Sequence, residues 1–137
     1  LQVRDRVRLP EHGSRVFSLY EGLEPRIITP GGELSQLDPA FAGANLRRYR
    51  VSLPEGEHDF TLEYDGKIIH ELTSHQESPG RVQQHLRGLI SPQGVFLDSG
   101  VAWYPRFRDS LQSFDLQVEL PAGWLAVSQG AGPQIER

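Results

Sequence analysis

The fold is decided by the stretch FTLEYDGKII, residues 60–69. Its apolar side chains occupy every second position, as Phe60, Leu62 and Tyr64. This two-residue period is that of a β-strand with one buried face. The Asp65-Gly66 step that follows is a strong signal for a type I′ turn, so we predict a hairpin in which Leu62 lies opposite Ile69.

The same period recurs on both sides of this stretch. Near the first residue, LQVRDRVRL turns Leu1, Val3, Val7 and Leu9 to one side and Arg4, Arg6 and Arg8 to the other. RRYRVSL (47–53) and SFDLQVEL (113–120) alternate in the same way, and the second is the cleanest strand pattern in the sequence. Shorter strand candidates are RVFSLYEGL, PRIIT, GVFLD and WLAVSQ.

Proline and glycine mark the ends of these strands. Three times a strand pattern closes in V-x-L-P, at Pro10, Pro54 and Pro121, and a glycine follows within three residues. Proline cannot donate to a β-ladder, so each proline is expected to end a strand. Many short strands with such punctuation predict an all-β antiparallel sandwich.

Two segments depart from the alternation. Residues 34–45, LSQLDPAFAGAN, are predicted to form a loop or a helical turn. Residues 78–91, SPGRVQQHLRGLIS, carry apolar side chains at helical spacing behind a Ser-Pro start, which predicts a short helix or turn across one end of the sandwich. We therefore expect at most one or two short helical turns in the molecule.

The arginine row of the first strand has two interpretations. It could bind anions, or it could be the solvated face of an antiparallel sheet. We favour the solvated face, because polar residues alternate with a buried row in most such sheets.

Composition bounds the function further. The 137 residues fit one domain, and 37% hydrophobic with 23% charged residues is typical of an ordinary globular chain. A net charge of −4 gives no support to a nucleic-acid partner. No apolar run is long enough for a membrane span, and the absence of cysteine excludes disulfides and thiolate ligands. Because methionine is absent, we expect the chain to be an excised or processed part of a longer protein.

One hexapeptide resembles a zinc-hydrolase motif without matching it. HELTSH, residues 70–75, separates its histidines by five positions, whereas H-E-x-x-H separates them by four. Five positions on a helix leave the two imidazoles about 140° apart, and on a strand the neighbouring side chains diverge. An independent hydrolase would depend on this stretch alone. The five histidines are scattered, and neither G-x-S-x-G nor a phosphate loop is present.

The densest aromatic stretch is GVFLDSGVAWYPRF, residues 94–107. Aromatic rings beside small residues often anchor an interface or line a pocket. The alternative is that Trp103 and Tyr104 close one end of the sandwich core.

This stretch, followed by SFDLQVELPAGWLAVSQG, resembles the N-terminal β domain of aminopeptidase N-type zinc metallopeptidases, particularly their divergent bacterial relatives. The W-Y-P element, the "P-x-G-W" step and the "A-V-S-x-G" step carry the resemblance. The resemblance implies that residues 1–137 are one non-catalytic, saddle-like β-sandwich. Such a domain docks on a catalytic domain of the same polypeptide and walls its peptide-binding cleft. Zinc is expected in that catalytic domain, and no cofactor is expected in this chain.

The resemblance also suggests contact residues. Better-studied family members hold the substrate's free amine with a glutamine in a T-Q-x-E element, and this chain has no glutamine in the corresponding region. Asp98 is a substitute, since a carboxylate can pair with an amine. The candidates for contact with the catalytic domain or the substrate cleft are Asp98, Ser99, Trp103, Tyr104, Pro105 and Phe107.

The parent protein would then be a zinc metallopeptidase acting on peptides, and this chain alone would hydrolyse nothing. Among compartments we favour the periplasm or cell envelope over the cytoplasm. The alternative function is a free-standing β-sandwich module that binds carbohydrate or another protein.

Overall fold

The computed structural model describes residues 1–11, 13–37, 45–69, 88–108 and 112–127. Within these ranges the chain forms nine β-strands and one 3-10 turn, at Ser99–Val101. The strands are β1 (Gln2–Arg8), β2 (Ser14–Tyr20), β3 (Leu23–Ile27), β4 (Glu33–Gln36), β5 (Leu46–Ser52), β6 (Asp59–Gly66), β7 (Gly88–Ser91), β8 (Gly94–Leu97) and β9 (Arg106–Phe107).

The strands form two main antiparallel sheets and a hairpin. The first sheet has the order β1-β6-β3, and the second has the order β4-β5-β2-β9. The hairpin consists of β7 and β8. The prediction of an all-β, sandwich-like fold with very little helix is confirmed.

Both sheets contribute to one apolar core. The first sheet contributes the alternating residues Phe60, Leu62 and Tyr64, each at most 1% exposed, which confirms the pattern that decided the fold. The second contributes Phe17, Leu19, Tyr49 and Val51, among others. A row of rings crosses the second sheet, because Phe17 lies between Tyr49 and Phe107 in the strand register, with ring centroids 5.6 Å apart in each pair.

The predicted hairpin after β6 is wrong. β6 has a partner on each side: Leu62 lies opposite Asp5 on β1 and opposite Ile27 on β3. The strand continues through Gly66, whose amide and carbonyl bond to Leu1. Long-range pairing on both edges therefore takes precedence over the local turn signal, and no edge of β6 is left for a returning strand.

Gly66 is also held close to the neighbouring strand. It lies opposite Leu23, and a Cβ atom at position 66 would overlap the carbonyl oxygen of Gly22. Only glycine allows this approach of the two backbones. The glycine that favoured a turn in the sequence is thus required for close strand packing.

The inward and outward faces of β1 carry the side chains that the sequence predicts. Val3 and Val7 pack against the core, Leu9 is buried, and the arginines point outward. Asp5 shares the inward row with the valines. Its partner across the ladder is the buried Leu62.

Other strand predictions are confirmed or corrected by the same register. Strands β2, β3, β5 and β8 overlap the predicted RVFSLYEGL, PRIIT, RRYRVSL and GVFLD, although β3 begins two residues before PRIIT and ends at Ile27. SFDLQVEL, the cleanest pattern, forms no strand, and neither does the described part of WLAVSQ, residues 124–127. The predicted loop at 34–45 is wrong for residues 34–36, which belong to β4, and the predicted helix at 78–91 is wrong for β7. The rest of these two segments lies outside the described residues, apart from Leu37 and Asn45.

Proline ends strands at two of the three predicted places. β1 stops two residues before Pro10, and β5 stops two residues before Pro54. Pro121 follows no strand, because residues 113–120 form none.

Candidate functional site

A tight turn carries the first two candidate residues. The Asp98 carboxylate accepts a hydrogen bond from the Gly100 amide at 2.5 Å and caps the 3-10 turn that begins at Ser99. Asp98 and Ser99 are both exposed. One carboxylate oxygen is thus engaged by the backbone, and the side chain still faces solvent, where it can meet an amine.

The turn is fixed to the second sheet by its last residue. Ala102 is buried in the left-handed conformation, at φ 55°, and its carbonyl accepts a hydrogen bond from the Tyr20 amide at 2.8 Å. Val101 is also buried in the core. This anchoring sets the position of the aromatic residues that follow.

The aromatic residues divide between the core and the surface. Pro105 is fully buried, and the Phe107 ring packs against Phe17 inside the sandwich. Trp103 is half-buried against the core, and Tyr104 is half-buried beside it. The interpretation that these rings close one end of the core therefore describes most of their contacts.

Trp103 and Tyr104 meet edge to face. Their centroids are 5.0 Å apart and the ring planes are 85° apart. A sugar-binding platform would present coplanar exposed rings, so this geometry gives no support to the carbohydrate-binding alternative.

Among the described residues, the longest series of exposed large apolar side chains lies next along the chain. We define the apolar run as Phe114, Leu116, Val118 and Leu120, whose exposed fractions are 53%, 46%, 45% and 37%. Leu125 and Val127 beyond it are 78% and 90% exposed. A side-chain hydrogen bond from Gln112 to the Pro105 carbonyl, 3.0 Å long, connects the start of this segment to the aromatic residues.

The alternation in SFDLQVEL predicted a strand, and nothing in the sequence indicated that its apolar side chains would be exposed. The alternation that suggested a strand is present, but within the described part of the chain no β-ladder includes residues 113–120. Its apolar side is exposed together with its polar side.

The outer face of the first sheet carries two groups of ion pairs, one around each of two carboxylates. Glu63 accepts from Arg4 and Arg26, and Asp59 accepts from Arg6 and Arg8. Each carboxylate is thus shared by two guanidinium groups. The hydrogen bond from Arg26 and then that from Arg4 lower the pKa of Glu63.

This pairing decides between the two interpretations of the arginine row. The hydrogen bond from Arg8 lowers the pKa of Asp59 in the same way, and it raises the pKa of Arg8. The arginines of β1 have partners within their own sheet, so the solvated-face interpretation fits them and an anion stripe does not.

A partly buried acid, Asp5, lies on the inward face of the same sheet. Burial raises the pKa of Asp5, and an interaction with the Tyr64 hydroxyl offsets part of that rise. Burial also raises the pKa of Tyr64. The Tyr64 hydroxyl has no partner of good hydrogen-bond geometry among the described residues, although Asp5 is close enough to affect its pKa.

No metal centre is found within the described ranges, where no three His, Asp or Glu side chains lie close enough to hold an ion. HELTSH lies outside the described residues, as do all the histidines except His58. In the same ranges no helix has the length and apolar content needed to cross a membrane.

Comparisons of the chain with models of protein families, with curated proteins and with solved structures find no match.

Proposed function

We propose that this chain is a non-catalytic β domain that docks on a zinc-metallopeptidase-like catalytic domain and walls its peptide-binding cleft. The resemblance of residues 94–130 to the N-terminal domain of that family is one support. The exposed apolar run is the observation that carries the docking part of the proposal.

The apolar run has the chemistry of an unpaired interface strand. Apolar side chains alternate with Asp115, Gln117 and Glu119, so one side of an extended segment is apolar and the other is polar. Burying apolar surface contributes about 25 cal/mol per Å², and contiguous exposed apolar surface of this kind marks interaction sites. A partner strand or sheet that covers the run would satisfy both its side chains and its backbone.

We call residues 98–107, which comprise the 3-10 turn and the aromatic residues after it, the aromatic turn. It adds a polar element to this surface. The exposed Asp98 and the half-buried Trp103 and Tyr104 precede the run in sequence, and Gln112 bridges to Pro105. In the docked state, Asp98 and Ser99 would face the cleft, and the apolar run would supply most of the buried area. Pro105 and Phe107 pack in the core, so they would contribute by fixing the position of the turn.

The whole polypeptide that contains this chain tests the proposal. We expect it to carry H-E-x-x-H with a later glutamate, to retain zinc in atomic absorption after dialysis, and to release amino acids from aminoacyl-p-nitroanilides. If the whole polypeptide carries no such motif and hydrolyses no peptide, the metallopeptidase assignment is wrong.

A matched pair of variants tests the docking surface. Leu116→Glu places a charge in the apolar run, and Gln117→Glu places the same charge on the adjacent polar side. We expect Leu116→Glu to weaken binding of this chain to the separately expressed catalytic domain at least tenfold, about 1.4 kcal/mol, and Gln117→Glu to have little effect. Titration calorimetry measures both. Equal binding by the two variants would exclude the run as the interface.

A further inference from the structure

The outer face of the second sheet differs from that of the first. On β5, Tyr49 and Val51 are buried, so Arg48 and Arg50 point outward. On β9, Phe107 packs inward, so Arg106 points outward. Among the described residues no carboxylate forms an ion pair with any of these three guanidinium groups.

The strand register places these arginines around one hydroxyl. Ser18 on β2 lies opposite Arg48 on one side and opposite Arg106 on the other. Neighbouring strands are about 4.8 Å apart, so the backbones of the two arginines are about 10 Å apart with Ser18 between them. Arg50 lies two residues along β5 on the same face, about 7 Å from Arg48. We call Ser18, Arg48, Arg50 and Arg106 the arginine cluster.

The local charge is opposite to that of the whole chain. The chain has a net charge of −4, and the four outward arginines of the first sheet are balanced by four outward acids, Asp59 and Glu63 in ion pairs and Glu24 and Asp65 on the same face. On the second sheet, Glu33 is the one outward acid on the described strands, and it lies opposite Ser52, beyond Arg50. Three cations around a hydroxyl thus form a local positive field in an acidic protein.

The arrangement selects a class of anion. A guanidinium group donates two parallel hydrogen bonds, so each of the two arginines that flank Ser18 can offer one fork to a ligand between them. A carboxylate has two oxygens and fills one fork. A tetrahedral dianion has enough oxygens and charge for both forks and for the serine hydroxyl. A long nucleic acid fits poorly, because the rest of the acidic surface would repel it.

We propose that the arginine cluster binds a tetrahedral oxyanion, the phosphoryl or sulfuryl group of a small ligand, above Ser18. Arg48 and Arg106 hold it from the two sides, the Ser18 hydroxyl donates from below, and Arg50 adds charge from β5. This proposal does not depend on the docking function proposed above, because the arginine cluster contains none of the residues assigned to docking.

Titration calorimetry at constant ionic strength tests the proposal. Inorganic phosphate, phenyl phosphate and sulfate are the probes, and acetate is the control anion. We expect the tetrahedral anions to bind and acetate to bind at least tenfold more weakly. Tighter binding of phenyl phosphate than of inorganic phosphate assigns the site to an ester, and the reverse assigns it to free phosphate.

Substitutions locate the binding. We expect Arg106→Gln and Arg48→Gln each to weaken phosphate binding about tenfold, and Ser18→Ala to weaken it severalfold. Arg6→Gln on the first sheet removes the same charge from the neutralised face and should leave binding unchanged. All of these residues are on the outer faces, so the thermal midpoint measured by circular dichroism should stay near that of the parent. The proposal is overturned if phosphate fails to bind, if acetate binds as well, or if Arg6→Gln weakens binding as much as Arg106→Gln.

Discussion

At the scale of single residues, the least expected feature is an acid in an apolar row. Asp5 alternates with Val3 and Val7 on the inward side of β1, and its neighbour across the ladder is Leu62. The sequence pattern locates this position correctly as the one break in an apolar side. It could not show that Tyr64 supplies the nearby hydroxyl, because that contact depends on the register of two strands far apart in the chain.

Asp5 should make stability depend on pH. Burial raises its pKa above the ordinary value of 3.8, so the folded chain holds this proton more tightly than the unfolded chain. The stability that protonated Asp5 contributes is fully present below the unfolded-state pKa and is lost as the pH rises through the folded-state pKa. We expect Asp5→Asn, which cannot ionise, to raise the thermal midpoint by a few degrees near pH 7 and to have little effect near pH 3.

The exposed Asp115 offers a matched control. Asp115→Asn should change the midpoint little at either pH. An Asp5→Asn variant that is less stable than the parent near pH 7 would show that the ionised carboxylate is favoured by the fold, which is contrary to this account.

At the scale of elements, β6 organises the first sheet. It is the middle strand, with β1 on one edge and β3 on the other. Its alternation could be predicted from Phe60, Leu62 and Tyr64 alone, because period two is a local property. The partners of β6 could not be predicted in this way. The Asp-Gly signal favours a hairpin when one edge of the strand is free, but both edges of β6 are occupied, by β1 and β3. SFDLQVEL shows the converse, since a good strand pattern forms no strand without a partner to pair with.

Gly66 gives a test of this arrangement. Gly66→Ala places a methyl group on the Gly22 carbonyl, which belongs to the backbone and cannot move aside cheaply. We expect a loss of about 3 kcal/mol or more in the free energy of unfolding, measured by urea denaturation.

Gly56 is the control for that substitution. It also has a positive φ, of 86°, but a Cβ atom there meets nothing within 4 Å. Gly56→Ala should therefore cost only the backbone strain, about 1 kcal/mol. Equal losses in the two variants would mean that the contact with Gly22 contributes nothing.

At the scale of the whole molecule, the surface divides into three chemically distinct parts. One sheet has a neutralised outer face, the other carries the arginine cluster, and the apolar run is exposed beside the aromatic turn. The six contact residues expected from the sequence are close together in the chain, but the structure uses Pro105 and Phe107 for the core. Sequence indicates which residues are aromatic, whereas the distribution of rings between core and surface depends on β9 pairing with β2.

The apolar run should also make the isolated chain associate with itself. Apolar segments with unpaired backbone groups associate readily with one another, so we expect sedimentation velocity to show larger species as concentration rises. Val118→Lys should weaken this association about tenfold or more. Gln117→Lys adds the same charge on the polar side and should weaken it much less. A parent chain that stays monomeric at all concentrations would contradict this expectation.

The central position of β6 has a consequence for the order of folding. In the second sheet, Gln36 pairs with Tyr49, so closing that contact requires a short loop. In the first sheet, β1 pairs with β6 from Arg8 opposite Asp59 to Gln2 opposite Asp65, so about 50 to 60 residues separate β1 from its partners. Loop closure of that length slows folding, so during synthesis on the ribosome the second sheet is able to nucleate while β1 still waits for its partner. Among the described strands, β1 therefore waits longer for β6 than β2 waits for β5 or β3 waits for β6.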